Sequence, residues 1–195
     1  MTGVLQFLPR PDHQLVRRLT DEFDSIYGVA ERALARLFAT YPSNAVREEI
    51  LLKVVAVNQL YGTQVYAVRE LADHIHGLEI DGLLRDGAPE AVELIAGFEI
   101  KGRPRRLYSF ATKYCSWHAP ERFPIYDSFV DRSLWLYRQQ TGFSKLQRAN
   151  LRHYALFREA VNDFRTYFNL TGVGVKELDK ALWMLGKAHE PNAGG

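Results

Sequence analysis

Two prolines, Pro120 and Pro124, constrain the middle of this chain more than any other feature. They interrupt the run from Tyr108 to Leu134, YSFATKYCSWHAPERFPIYDSFVDRSL. Each proline pushes the residue before it out of helical geometry, so the run must fold as helix, short loop and helix. Beyond Pro124, Val130, Leu134 and Tyr137 fall on one helical face. Asp127 stands where that second helix must begin. An aspartate there accepts backbone N–H groups and lies at the positive end of the helix dipole. Taken alone, Asp127 is a cap. Aromatic residues on both sides and cations upstream also make it a candidate for chemistry.

Helical spacing governs most of the chain. Leu15–Phe23 and Val29–Phe38 read as two N-terminal helices parted near Gly28. Pro42-Ser43-Asn44 ends one helix and caps the next, in which Ile50, Val54, Val57 and Tyr61 form an apolar stripe. Gly62 breaks that helix and Thr63–Ile75 resumes it; Gly77–Ala88 is a connector. Pro89–Phe98 starts on a proline, and Arg105–Trp117, Ser128–Gln139, Leu151–Phe168 and Val175–Leu185 complete the set. No stretch sustains a period of two, so no sheet is expected. The expected fold is all-α: one multi-helix domain over residues 1–187, with N-terminal helices at 14–41, a core at 45–187 and a disordered tail at 188–195.

A chain of 195 residues suits one core, since a domain of this size buries roughly 70% of its unfolded surface. The formal charge of +2 is only mildly basic, so a nucleic-acid partner has to be argued from local clustering. The single cysteine, Cys115, excludes a disulfide framework and a four-cysteine iron–sulfur cluster. No apolar run approaches a membrane span, and the N-terminus lacks the charged start and apolar core of a signal peptide. The reading is a cytoplasmic protein with no membrane partner.

Lys101, Arg103, Arg105 and Arg106 lead into a helix that also carries Lys113. Backbone N–H groups at such a helix start add positive character, which makes either a phosphate site or a solvated basic face. Asn58 and Gln59 interrupt the apolar stripe beside Tyr61 and the glycine break, while Trp117, His118 and Tyr126 flank the proline-bounded loop. These residues line a pocket or join the core. Asp131, four residues beyond Asp127, is either a dipole partner or a second acid. Cys115 and His118 have ligand-like spacing, but no second pair is evident and no metal site is expected. Leu170-Thr171-Gly172-Val173-Gly174 reads as turn glycines with a cap, or as a phosphate-binding hairpin.

The pattern SFATKYCSWHAPERFPIYDSFV resembles the helix, loop and aspartate at the centre of the helix-hairpin-helix DNA glycosylase superfamily. It is most similar to the small bacterial 8-oxoguanine-DNA-glycosylase-like members. LLKVVAVNQLYGTQVYAVRELADHI resembles the helix pair that opens the same domain, and ELDKALWMLGK its closing helix, so the resemblance covers residues 45–187. The family's glycine-rich hairpin is degenerate here: Ile100-Lys101-Gly102-Arg103-Pro104-Arg105-Arg106 stands in its place. That departure leaves the mode of backbone anchoring and any hairpin-bound monovalent cation open.

The resemblance implies a cofactor-free, monomeric enzyme acting on double-stranded DNA that carries a damaged or modified base. It would flip that base into a pocket formed by Asn58, Gln59, Tyr61, Trp117, His118 and Tyr126 and hydrolyse the N-glycosidic bond. Asp127 would stabilise the oxocarbenium ion and activate water. Some family members use a lysine nucleophile at the helix start, where this chain has Pro104-Arg105-Arg106. A monofunctional enzyme is therefore expected, with Lys113 a phosphate or aspartate partner; the alternative is a glycosylase/lyase using Lys113. A non-catalytic DNA-binding relative and a Mg²⁺-dependent nuclease using Asp127 and Asp131 are the other readings. Oxidised purine follows from the resemblance, while alkylated, deaminated and modified phage bases, with a role in antiphage defence, stay open.

Overall fold

The computed structural model describes residues 7–100 and 102–190. The described residues are mostly helical: α1 (His13–Thr40), α2 (Arg47–Tyr61), α3 (Val68–Leu78), α4 (Asp81–Asp86), α5 (Glu90–Ala96), α6 (Tyr108–His118), α7 (Ser128–Thr141), α8 (Tyr154–Tyr167) and α9 (Val175–Ala188). A 3-10 turn, Arg148–Arg152, precedes α8.

Four features differ from the sequence expectation. The two expected N-terminal helices are one, α1, running 28 residues straight through Gly28. A helical glycine costs only about 1 kcal/mol against alanine, and the strong helix formers of Ala30–Arg36 outweigh it. Asn44 does not cap α2, whose N-cap is Val46 without a side-chain bond; Asn44 is buried and turned inward. The 77–88 connector contains the end of α3 and all of α4. A two-stranded antiparallel ribbon, β1 (Gly97–Ile100) and β2 (Arg103–Arg106), stands where a helix end and a helix start were expected. Gly102 at φ +73° closes its turn, and Pro104 is tolerated because β2 is an edge strand. Four residues a side are too few to register as alternation against helical periodicity.

The chain forms two compact units, Ile26–Tyr126 and the described parts of Met1–Ser25 with Asp127–Gly195. In the first, α2 packs on α3 and α6, and α5 on α6. Ile50, Val54 and Val57 of α2 are fully buried, as is Tyr114 of α6. In the second, α7 packs mainly on α9. Their approach is so close that a Cβ on Gly186 would overlap the Phe129 carbonyl. Arg132 donates to the Gly186 carbonyl (2.9 Å) and Ser133 to that of Leu182 (2.7 Å). Residues 188–190, expected in a disordered tail, are placed: Ala188 closes α9, and the His189 and Glu190 amides bond back to Leu185 and Lys187. Residues 191–195 lie outside the described residues.

Candidate functional site

Helix α6 carries a buried polar group on its first two turns. Lys113 is 3% exposed, and its ammonium donates to the Ser109 hydroxyl at 2.6 Å. The same ammonium lies 5.5 Å from the centre of the Tyr61 ring. Tyr61, the last residue of α2, accepts from the Trp117 indole N–H (3.2 Å) and donates to Glu31 Oε1 on α1 (3.0 Å). The direction of this chain follows from the groups themselves, since an indole only donates and a carboxylate only accepts. The structure therefore brings three predicted residues, Tyr61, Lys113 and Trp117, into one cluster with two that the sequence reading missed, Glu31 and Ser109. Helix α6 begins at Tyr108 rather than Arg105, so Lys113 is nearer the helix start than expected.

The other predicted pocket residues have different surroundings. Asn58 clamps the loop that follows α2. Its Oδ1 accepts from the Val65 amide (2.8 Å) and the Thr63 hydroxyl (2.8 Å), and its Nδ2 donates to the Val65 carbonyl (2.9 Å). Gly62, left-handed at φ 59°, ends α2 and starts that loop. Gln59 is exposed. Tyr126 is buried with its ring 4.7 Å from that of Tyr108, and its backbone N–H and C=O both bond the Thr112 hydroxyl. These bonds pin the end of the proline-bounded loop to α6 immediately before Asp127.

His118 faces a second cluster, around Lys53. That lysine is fully buried and donates to the carbonyls of Tyr41 (3.2 Å) and Ser43 (2.7 Å) and to Asn44 Oδ1 (3.0 Å). Asn44 also accepts from the Tyr114 hydroxyl (2.6 Å) and donates through its side chain to Asp81 (2.6 Å). The rings of Phe38 and Tyr114 lie 5.6 and 5.7 Å from the ammonium. Burial lowers Lys53 to about 8, against the opposing pull of Asp81 and Glu49. His118 Nε2 sits 3.4 Å from the same ammonium, and burial together with that charge lowers His118 to about 3. His118 is thus neutral in the fold and packs against Phe38 and Tyr114. Cys115 is buried, its thiol pushed up by desolvation, and among the described residues no three His, Cys, Asp or Glu side chains converge as metal ligands.

Asp127 caps α7, in the other unit. Its Oδ1 accepts from the amides of Phe129 and Val130, each at 3.0 Å. Asp131 is buried and held by the Arg148 guanidinium (2.6 Å), a partner no sequence spacing suggested. The Leu170–Gly174 loop is a turn with a cap: Arg165 donates to the carbonyls of Thr171 and Val173, and the Gly174 amide bonds Glu177.

The basic residues lie on the ribbon, not at a helix start, so helix-end amides do not augment them. Arg103, Arg105 and Arg106 are all exposed, and Lys101 lies outside the described residues. Arg103 and Arg105 occupy one face of β2, opposite Ile100 and Phe98. Arg106, on the other face, pairs with Glu93 (2.9 Å) and lies 4.9 Å over the Tyr108 ring. An open groove lined by Arg47, Glu48, Leu51, Arg69, Glu70, Ala72 and Asp73 contains none of the predicted site residues. No helix is long and apolar enough to cross a membrane among the described residues.

Comparison with known proteins adds a family. Residues 13–122 match the family model HI_0787_N, described as an N-terminal domain. The match includes Glu31, Tyr61, Lys113 and Trp117 and ends before Asp127. An uncharacterised protein of Haemophilus influenzae is 40% identical over 147 residues, covering 75% of this chain and 70% of that protein. No solved structure matches. With more than half of its length matched and a relative of this similarity, the chain belongs to the HI_0787_N family.

Proposed function

We propose that this protein is a DNA glycosylase of the helix-hairpin-helix type, with a degenerate hairpin. It flips a damaged or modified base out of double-stranded DNA and excises it by hydrolysing the N-glycosidic bond. Its setting is the cytoplasm, and it acts as a monomer. The observation that carries this reading is the end of the proline-bounded loop, immediately before Asp127. The loop is pinned to α6 through Tyr126 and Thr112, and the next residue, Asp127, is a carboxylate at a helix N-terminus. Oxocarbenium character grows on the sugar as the bond breaks, and a carboxylate fixed by two backbone amides supplies the opposing charge and orients water. The half-exposed rings of Tyr61 and Trp117, with Lys113 beside them, suit an extruded base. The exposed arginines of β2 suit DNA phosphates. Mass spectrometry of bases released from damaged and naturally modified duplexes tests the reading. Release of one base, leaving alkali-labile abasic sites, is expected; no release from any duplex would refute it.

One observation favours a second reading, a glycosylase/lyase. The Lys113 amine reaches back to Ser109 in the first turn of α6, and some helix-hairpin-helix glycosylases use a lysine nucleophile at the start of the corresponding helix.

A further inference from the structure

Glu31 lies on α1, outside every motif that pointed to a site. It nevertheless belongs to a polar chain that runs through the two half-exposed aromatic walls assigned above: indole of Trp117 to hydroxyl of Tyr61 to carboxylate of Glu31, at 3.2 and 3.0 Å. Tyrosine has one hydroxyl proton. With an indole as donor on one side and a carboxylate as acceptor on the other, that proton is directed at Glu31, and the lone pairs at Trp117. Tyr61 is the last residue of α2, before the left-handed Gly62. Its ring face also receives the Lys113 ammonium at 5.5 Å, which depends on the ring holding one orientation.

We propose that Glu31 is a positioning residue of the ligand pocket, locking Tyr61 and Trp117 into a single aromatic wall and orienting the Tyr61 face toward Lys113. The inference rests on the pocket assignment of the proposed function. Glu31 does not touch the reacting atoms; it acts through Tyr61. Its loss removes the acceptor of the Tyr61 hydroxyl while leaving both rings present, so the base still binds but against a less firmly held wall, and lost positioning costs turnover more than binding.

The test uses the full chain and the variants Glu31→Ala, Glu31→Gln, Tyr61→Phe and the Glu31→Ala/Tyr61→Phe double. Two quantities are read: the NMR resonance of the Trp117 indole N–H, and kcat and KM for base release. Glu31→Ala is expected to move the indole resonance and lower kcat about tenfold with KM nearly unchanged. Glu31→Gln, whose amide oxygen still accepts the hydroxyl, restores both, and the double variant is no worse than Tyr61→Phe. An indole resonance unmoved in Glu31→Ala overturns the inference, as does full turnover in that variant. A moved resonance in a protein that releases no base from any duplex refutes the glycosylase reading while supporting the structural coupling. If Glu31→Ala fails to fold, Glu31→Gln against Tyr61→Phe decides: equal defects in both overturn the inference, and a defect confined to Tyr61→Phe supports it.

Discussion

The Lys113 ammonium lies 2.6 Å from the Ser109 hydroxyl, one helical turn back toward the start of α6. Helical side chains tilt toward the N-terminus, so a lysine in the second turn delivers its charge to the first. The proposed water-using mechanism treats this ammonium as a cation held between Ser109 and the Tyr61 face. Borohydride reduction during turnover is therefore expected to trap no protein–DNA adduct. An adduct that disappears in Lys113→Gln would establish the glycosylase/lyase reading instead.

Asp127 separates capping from chemistry. Asparagine caps as well as aspartate, whereas alanine loses about 1 kcal/mol. Asp127→Asn is expected to melt within a few degrees of the parent and to lower base release at least ~10²-fold. DNA binding should persist, since one negative charge is removed near phosphates. Asp127→Ala should lose stability as well. Near-normal turnover in Asp127→Asn would show that the residue is a cap alone.

The basic ribbon divides into two kinds of arginine. Arg103 and Arg105 are exposed on one face of β2, whereas Arg106 is already engaged by Glu93 and Tyr108. Replacing Arg103 and Arg105 with glutamine is expected to reduce the slope of log affinity against log salt by about 1 each, on any DNA sequence. Arg106→Gln should change it less. A slope unaltered in the Arg103/Arg105 double variant would make the ribbon a solvated face.

Lys53 and His118 set two separate pH windows of the same sign, stability rising with pH in each. Lys53 is lowered from 10.5 to about 8, so between these values the unfolded chain holds a proton that the folded one has released. Stability then rises with pH across that window, relative to Lys53→Met, by at most about 3 kcal/mol. His118 is lowered from 6.5 to about 3; its contribution is complete above pH 6.5 and is lost as pH falls toward 3. Chemical denaturation of wild type, Lys53→Met and His118→Gln across both ranges measures the two slopes. Parallel curves for wild type and variant would show that the group is not desolvated in the fold.

The helices of this protein are legible because their apolar residues keep helical spacing, as Val130, Leu134 and Tyr137 do on α7. Lys53 left a signal that the sequence reading passed over: a lysine on the same face as Ile50, Val54 and Val57 has to be buried with them. A polar residue next to a helix end, such as Asn58, also serves backbone groups of the following loop, and the sequence does not distinguish that role from a pocket role. The ribbon was hidden by its length and its arginines, neither of which favours a strand by pattern. Glu31 left no signal, since a glutamate among charged residues of a long helix looks like solvent-facing surface until Tyr61 is placed beside it.

Asn58 and Gln59 are neighbours with opposite expected consequences. Asn58 makes three hydrogen bonds to Thr63 and Val65, and the loop they close holds Gln64 at φ 57°, a left-handed geometry that a free loop would abandon. Removing those partners strands half-buried amide and carbonyl groups, at about 1–3 kcal/mol for each group left unpaired. Asn58→Ala is therefore expected to lower the melting temperature and to speed hydrogen exchange at the Val65 amide. Gln59 is exposed, so Gln59→Ala should leave melting unchanged. If its turn faces DNA, Gln59→Ala changes base-release rate or base preference all the same. Unaltered kinetics in Gln59→Ala, with Tyr61→Ala impaired, would confine the pocket to the Tyr61–Lys113–Trp117 cluster and make the Asn58 loop a purely structural closure of α2.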